Sequence, residues 1–316
     1  MSVPELDPQI RQVLADAEAA GLAPVEESTP EQVRANLAAS FAKSFGPVDE
    51  VHAVEDADAD GVPVRIYRPV ETEEKSTALV YFHGGGFVAG SVDVYDPLAR
   101  AFAKRAGCVV ISVDYRLAPE HPYPAALDDA WTATKWVSAN AEELGLDTWK
   151  IGVGGDSAGG ALAAICARRA RDHGIAVACQ LLLYPIMSSD QNTPSYSLYS
   201  QGYLLTRDAM HWYWKQYLGE GGSDGVEDPD ISPAAERDLR RLPRAIVVTA
   251  EADVLRDEAE AYAQRLFIST VETEGYRYDG MVHGFLRMAG TVERSNHAID
   301  EISESLTAAL EKGYSH

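Results

Sequence analysis

A serine, a carboxylate and a histidine, the three side chains that together perform nucleophilic acyl transfer, each follow a short apolar run in this chain. Ser157 stands in Gly155-Asp156-Ser157-Ala158-Gly159, a G-x-S-x-G, behind "KIGVG" at 150–154 and ahead of a run of helix formers. That setting reads as a serine on a sharp strand-to-helix turn, with glycines making room for a strained backbone. A serine hydroxyl is a poor nucleophile until a base accepts its proton, and the base needs a carboxylate to fix its tautomer. His283, in "DGMVHGF" after a short strand near 275–278, is the candidate base. Asp253, on the loop after "AIVVTA", is the candidate acid. Glu251, Asp257 and Asp279 compete with it, but Asp257 suits the first turn of the next helix as a favourable charge. After "TALVYF" comes His83-Gly84-Gly85-Gly86, where glycines let backbone N–H groups point at a developing oxyanion. His83 reads as ordering that loop and Asp156 as pinning the serine's turn. His121 reads as a loop anchor, and His211 and His297 as structural residues on helices.

Such residues need rigid carriers. "VPVRIYRP" at 62–69 alternates as a half-buried strand. "TALVYF" at 77–82, "CVVISV" at 108–113, "KIGVG", "CQLLLY" at 179–184 and "AIVVTA" at 245–250 are continuous apolar runs. Runs of that kind fit strands covered on both faces of a parallel sheet. Helical patterns fall between them, over about 5–45, from Asp96-Pro97 to Gly107, and at about 125–144, 158–173, 257–268 and 293–311. The alternation predicts an α/β, doubly wound sheet, whose ligands bind beyond the carboxyl ends of the strands. That is where the glycine loop, Ser157, Asp253 and His283 all fall.

Residues 190–230 break the rhythm with an aromatic-rich helix between polar, Gly- and Pro-rich flanks. Tyr203, Trp212, Tyr213, Trp214 and Tyr217 are more aromatic surface than one core-facing stripe needs. Long excursions in compact folds are usually functional, so a lid is expected here, with Tyr203, Trp212 and Trp214 as substrate-binding candidates.

The stretches "YFHGGGFVAGS", "DYRLAPEHPYPAALDD", "GDSAGGALAA", "AEADVLRDEAEAYAQRL" and "DGMVHGF" run in order across residues 81–285. Together they resemble the hormone-sensitive-lipase-like (family IV) carboxylesterases of the α/β-hydrolase fold. The resemblance implies Ser157 as nucleophile, Asp253 as acid, His283 as base, and the amides of Gly85, Gly86 and Ala158 as oxyanion donors. It also implies short- to medium-chain acyl esters as substrates, no cofactor and no metal. The core would comprise residues 46–189 and 231–316, with the N-terminal helices of 1–45 joining 190–230 in a cap. Val254 stands where the family usually has proline and Ala161 where it often has asparagine; neither change removes a catalytic group.

Two other function classes fit less well. Gly84-x-Gly86-x-x-Ala89 with Asp114 outlines a dinucleotide fingerprint, but the helix signals begin only at Asp96-Pro97, too late to meet a pyrophosphate. A pure binding module on the same fold would be expected to lack the nucleophile or the base.

The net charge of -22 repels nucleic acid and anionic lipid, so the expected partner is a small-molecule ester; self-association into a homo-oligomer stays open. No apolar run reaches the length of about 18 residues that a membrane span needs. The acidic N-terminus lacks an apolar core of its own, and Cys108, Cys166 and Cys179 fit no zinc spacing. Reduced thiols and a cytoplasmic location are therefore expected. Residues 1–60 hold 13 Asp or Glu against 3 Lys or Arg, and the whole chain has 20 Arg against 7 Lys. Acid spread this widely fits either salt adaptation or ordinary solubilising charge. Repulsion among carboxylates reaches about 30 Å at 0.01 M salt but only about 3 Å at 1 M. Molar NaCl or KCl is thus expected to raise the melting temperature at fixed pH; a flat or falling melt removes the salt-adaptation reading.

Overall fold

In the computed structural model, residues 5–219 and 225–314 are described. Residues 1–4 of the N-terminal segment and 220–224 of the 190–230 segment lie outside them. The described strands form one sheet of eight in the order β1-β2-β4-β3-β5-β6-β7-β8. They are β1 (Ala53–Ala59), β2 (Val62–Arg68), β3 (Ser76–Phe82), β4 (Val109–Val113), β5 (Leu146–Asp156), β6 (Cys179–Leu183), β7 (Arg244–Ala252) and β8 (Thr273–Val282). Pairing is antiparallel from β1 through β2 to β4 and parallel from there to β8. Every residue of β4 and β6 is buried, as the unbroken apolar runs require of strands with both faces covered. The covering helices include α3 (Val92–Ala106), packed with α9 (Glu293–Lys312), and α4 (Ala125–Ala139), packed with α5 (Ala158–His173). No helix among the described residues is long and apolar enough to cross a membrane.

Two local expectations are corrected, and one strand is added. The helix expected to open at Asp96-Pro97 begins at Val92, because the Ser91 side chain already accepts the Val94 amide. Pro97 then sits inside α3, where its ring removes the single hydrogen bond to the Asp93 carbonyl. The helix at 125–144 stops at Ala139, with Asn140 as its cap. The acidic stretch 53–59, assigned no element from the sequence, is a strand, although its apolar residues Ala53, Val54, Ala57 and Ala59 do not strictly alternate. It pairs with β2 from Ala53↔Arg68 to Ala59↔Val62, and Arg65 of β2 bonds Asp56 at 2.6 Å. Carboxylates along this edge discourage pairing with another chain.

The N-terminal helices are α1 (Pro8–Ala20), capped by Asp7, and α2 (Pro30–Ser44), opened by a Thr29/Gln32 capping box. The Asp7 amide donates to the Gly280 carbonyl, which ties the start of α1 to the loop that carries His283. Arg34 of α2 donates to the Val88 and Ala118 carbonyls and forms a two-pronged pair with Glu120. That clamps α2 onto the segment following the glycine loop. The excursion at 190–230 contains α6 (Pro194–Leu198) and α7 (Arg207–Leu218). Between β7 and β8 lies α8 (Arg256–Ile268).

Candidate active site

Ser157 joins β5 to α5 with φ 55° and ψ -118°, a backbone conformation costly for a residue with a side chain. Its amide donates to the Leu183 carbonyl and its own carbonyl accepts from Ile186, so the end of β6 and the segment beyond it hold the turn. The flanking glycines are required by space. A Cβ on Gly159 would lie 1.9 Å from the Phe82 carbonyl oxygen, and one on Gly155 would lie 2.4 Å from the same atom. The turn thrusts Oγ out over the carboxyl end of the sheet.

His283 and Asp253 meet it there. The Ser157 hydroxyl donates to His283 Nε2 at 2.9 Å, and His283 Nδ1–H donates to Asp253 Oδ2 at 2.7 Å. The carboxylate accepts only, which fixes the proton on Nδ1 and leaves the Nε2 lone pair facing the serine. The other Asp253 oxygen accepts the Leu255 amide at 3.0 Å, so the carboxylate cannot swing. All three residues are buried.

The rival carboxylates have other occupations. Asp257 accepts from the Ser195 amide and from Arg256, rooting α6 on α8. Glu251 accepts the Gly280 amide at 2.8 Å and so shapes the His283 loop from outside. Asp279 is exposed. Asp114, the acid of the dinucleotide outline, accepts from Val92 at the start of α3.

The glycine loop lies beside the serine. Gly85 accepts from the amides of Val88 and Ala89 in a tight turn. The amides of Gly85, Gly86 and Ala158 donate to no acceptor among the described residues. Asp156 holds this loop to the serine's turn: one oxygen accepts from the Gly84 amide at 2.7 Å and the Tyr81 hydroxyl at 2.8 Å, the other from the Tyr95 hydroxyl at 3.2 Å. His83 stacks on Tyr115 with centroids 4.3 Å apart, and its Nδ1–H donates to the Gly84 carbonyl. Burial lowers the pKa of His83 and keeps it neutral, a spacer beneath the loop.

A cavity of about 140 Å³ opens over Ser157 and His283. Its apolar wall comes from two separate segments, Val25 and Leu37 near the N-terminus and Leu204, Leu205, Ala209 and Met210 in the excursion. The three aromatics expected to bind substrate do not line it. Trp214 is 1% exposed and packs against Phe87, whose ring also stacks on Tyr217 at 4.0 Å. Tyr203 abuts Tyr199 edge-on, and Trp212 abuts Tyr213 edge-on at 5.2 Å. Tyr203 precedes α7, Trp212 points about 200° around the helix from Met210, and Trp214 packs with Tyr217 against Phe87, anchoring the helix on the glycine loop. Tyr213 is the aromatic that α7 adds to the wall, alongside Tyr95 of α3; a Cβ on Gly86 would lie 2.2 Å from the Tyr213 ring. Arg287, four residues after His283, also lines the cavity and was not singled out in the sequence. Among the described residues, no group of three or more His, Cys, Asp or Glu is arranged to hold a metal.

Known proteins share this chain's sequence and shape. Residues 79–287 match a family model described as the alpha/beta hydrolase fold. A carboxylesterase of Mycobacterium tuberculosis is 41% identical over 251 residues, 79% of this chain and 79% of its own. An ethyl acetate hydrolase of Pseudomonas putida is 34% identical across 97% of this chain and 99% of its own. The solved structure of a hyperthermophilic esterase from Pyrobaculum calidifontis superposes with a TM-score of 0.89 at 41% identity, covering 96% of this chain and 98% of that one.

Proposed function

Since the chain belongs to the α/β-hydrolase family and to its hormone-sensitive-lipase-like carboxylesterases, we propose that it hydrolyses short-chain carboxylic esters with Ser157, His283 and Asp253 as its catalytic groups. The observation that carries this reading is the continuous relay from Asp253 Oδ2 to His283 Nδ1 at 2.7 Å and from Nε2 to Ser157 Oγ at 2.9 Å, beside three amides with no acceptor among the described residues.

Ser157 Oγ attacks the ester carbonyl while His283 Nε2 takes its proton. Asp253 holds the imidazole in the right tautomer and stabilises the imidazolium. The tetrahedral oxyanion is met by the amides of Gly85, Gly86 and Ala158, donors already in place that need no reorganisation when charge develops. His283 then protonates the leaving alcohol. In the second half, water attacks the acyl-serine with His283 as base, and the acid departs.

We further infer that Val25 and Leu37 of the N-terminal segment form a cap together with α6 and α7, since residues from both segments wall the cavity over Ser157. A cavity of about 140 Å³ is small beside the roughly 300–1,000 Å³ of pockets that take drug-sized ligands. Catalytic efficiency on p-nitrophenyl esters is therefore expected to peak at acyl chains of about two to six carbons and to fall about tenfold or more beyond ten. Met210→Ala, which removes part of the wall, is expected to move the peak to longer chains. Absence of hydrolysis at every length overturns the esterase reading, and equal rates at every length overturn the cap.

The location inferred is the cytoplasm. Cys108, Cys166 and Cys179 are buried free thiols, each pushed up to about 12 by burial, in keeping with a reducing compartment.

A further inference from the structure

Among the described residues, Arg287 is a cation in the catalytic cavity without a carboxylate partner. Its guanidinium folds back onto the residue after the base: a Cβ on Gly284 would lie 2.2 Å from an Arg287 terminal nitrogen. Its one side-chain hydrogen bond to the described residues runs from Nε to the Gly284 carbonyl, at a long 3.4 Å. By contrast, in this chain of 49 acidic residues against 27 basic ones, Arg34, Arg65, Arg105 and Arg116 are all ion-paired.

Asp156 lines the same cavity but does not serve as the missing partner. Both of its oxygens are engaged by Tyr81, Gly84 and Tyr95. Burial opposes the charge on Arg287, but Tyr95, Tyr184, Asp156 and Tyr213 around it more than offset this, so it stays cationic. Tyr213 faces it from α7. Burial pushes the Tyr213 hydroxyl up to about 12, with the Arg287 charge working the other way, and the hydroxyl makes no hydrogen bond to the described residues. The cavity thus holds two terminal guanidinium nitrogens and a phenol with donor capacity unused, next to the nucleophile. Guanidinium and hydroxyl donors of this kind match a carboxylate.

We propose that Arg287, with the Tyr213 hydroxyl, binds a carboxylate carried by the substrate, so that the preferred substrates are short esters bearing one free acid group. This rests on the esterase reading. The chemistry at Ser157 is unchanged: the bond from the acyl carbon to the alcohol oxygen breaks, the bond to Oγ forms, and His283 passes the Oγ proton to the alcohol. The substrate's own carboxylate is a spectator that fixes orientation.

The test uses two matched pairs at fixed ionic strength, with acid release measured by titration. Monoethyl succinate against ethyl succinamate places the charge on the acyl side; acetoxyacetate against acetoxyacetamide places it on the alcohol side. The wild-type protein is expected to prefer the charged member of at least one pair by about tenfold or more in kcat/KM, through KM. Arg287→Gln is expected to cut that charged-to-neutral ratio by roughly 10- to 100-fold, as loss of a hydrogen-bonded charge partner does, with Arg287→Lys restoring part of it. Equal or reversed preference in the wild type for both pairs overturns the inference without any variant. So does a ratio that Arg287→Gln leaves unchanged. If the neutral esters are hydrolysed and the charged ones rejected, only the carboxylate site falls; if none of the four is hydrolysed, the esterase reading falls with it.

Discussion

Ser157→Ala is expected to lower kcat on a short neutral ester by on the order of 10⁴–10⁶, and His283→Ala by a similar factor. The serine loses the atom that bonds to the acyl carbon, and the histidine variant leaves a hydroxyl with no base 2.9 Å away. Because the two act in one proton transfer, either loss removes nearly the whole benefit, and the double variant should add little. The residual rate would come from substrate binding and from the amides of Gly85, Gly86 and Ala158. Loss of fold is a poor alternative explanation for the serine variant. The turn is held by backbone bonds to Leu183 and Ile186, which alanine keeps, so its melting temperature should stay near that of the wild type. Steady-state kinetics beside a thermal melt decide the matter: retention of more than a tenth of kcat by Ser157→Ala removes it as nucleophile.

The positions of these residues at the strand ends were readable in the sequence because a parallel sheet gathers its carboxyl-end loops on one edge. The runs "KIGVG" and "AIVVTA" belong to strands covered on both faces, hence continuous in apolar type, and the residues just beyond them must sit at the carboxyl edge. The walls of the cavity were not readable in the same way. Residues 203–217 announce an aromatic helix, but its phase about its own axis depends on Phe87 stacking with Tyr217, a contact between segments far apart in the chain. Without that contact, Trp214 and Tyr213 are equivalent candidates. Arg287 was hidden for a similar reason. Four residues after a histidine, an arginine is ordinary, and its meaning comes only from the cavity it enters and from the carboxylates it fails to meet. Strand β1 was missed on composition: in "AVEDADA" Glu55 shares a face with Ala53, Ala57 and Ala59 while Asp56 and Asp58 lie on the other, so no apolar alternation marks this edge strand.

The acid of the triad is the assignment with the closest competitors, and a matched pair of amide substitutions separates them. Asp253→Asn is expected to reduce kcat by about 10⁴. One Asp253 oxygen accepts the Leu255 amide and the other accepts His283 Nδ1–H. An asparagine has one acceptor for these two donors. If its oxygen keeps Leu255, its NH₂ group faces Nδ1 and drives the imidazole proton to Nε2. That nitrogen then donates toward Ser157 instead of accepting from it, and the base is lost although the ring has hardly moved. Asp257→Asn meets a different requirement, because its oxygens hold the Ser195 amide and Arg256 on the outer side of α8. There an amide forfeits one charge-assisted bond, a loss of roughly 1–3 kcal/mol in stability, and leaves the His283 tautomer alone. Its kcat on a short ester should stay within about threefold of wild type, since nothing it touches bears on the proton transfer. Measured side by side, the two variants should therefore differ by about three and a half to four orders of magnitude in kcat and in the opposite sense in melting temperature. The reverse order in kcat would make Asp257 the acid and Asp253 a mere anchor for Leu255.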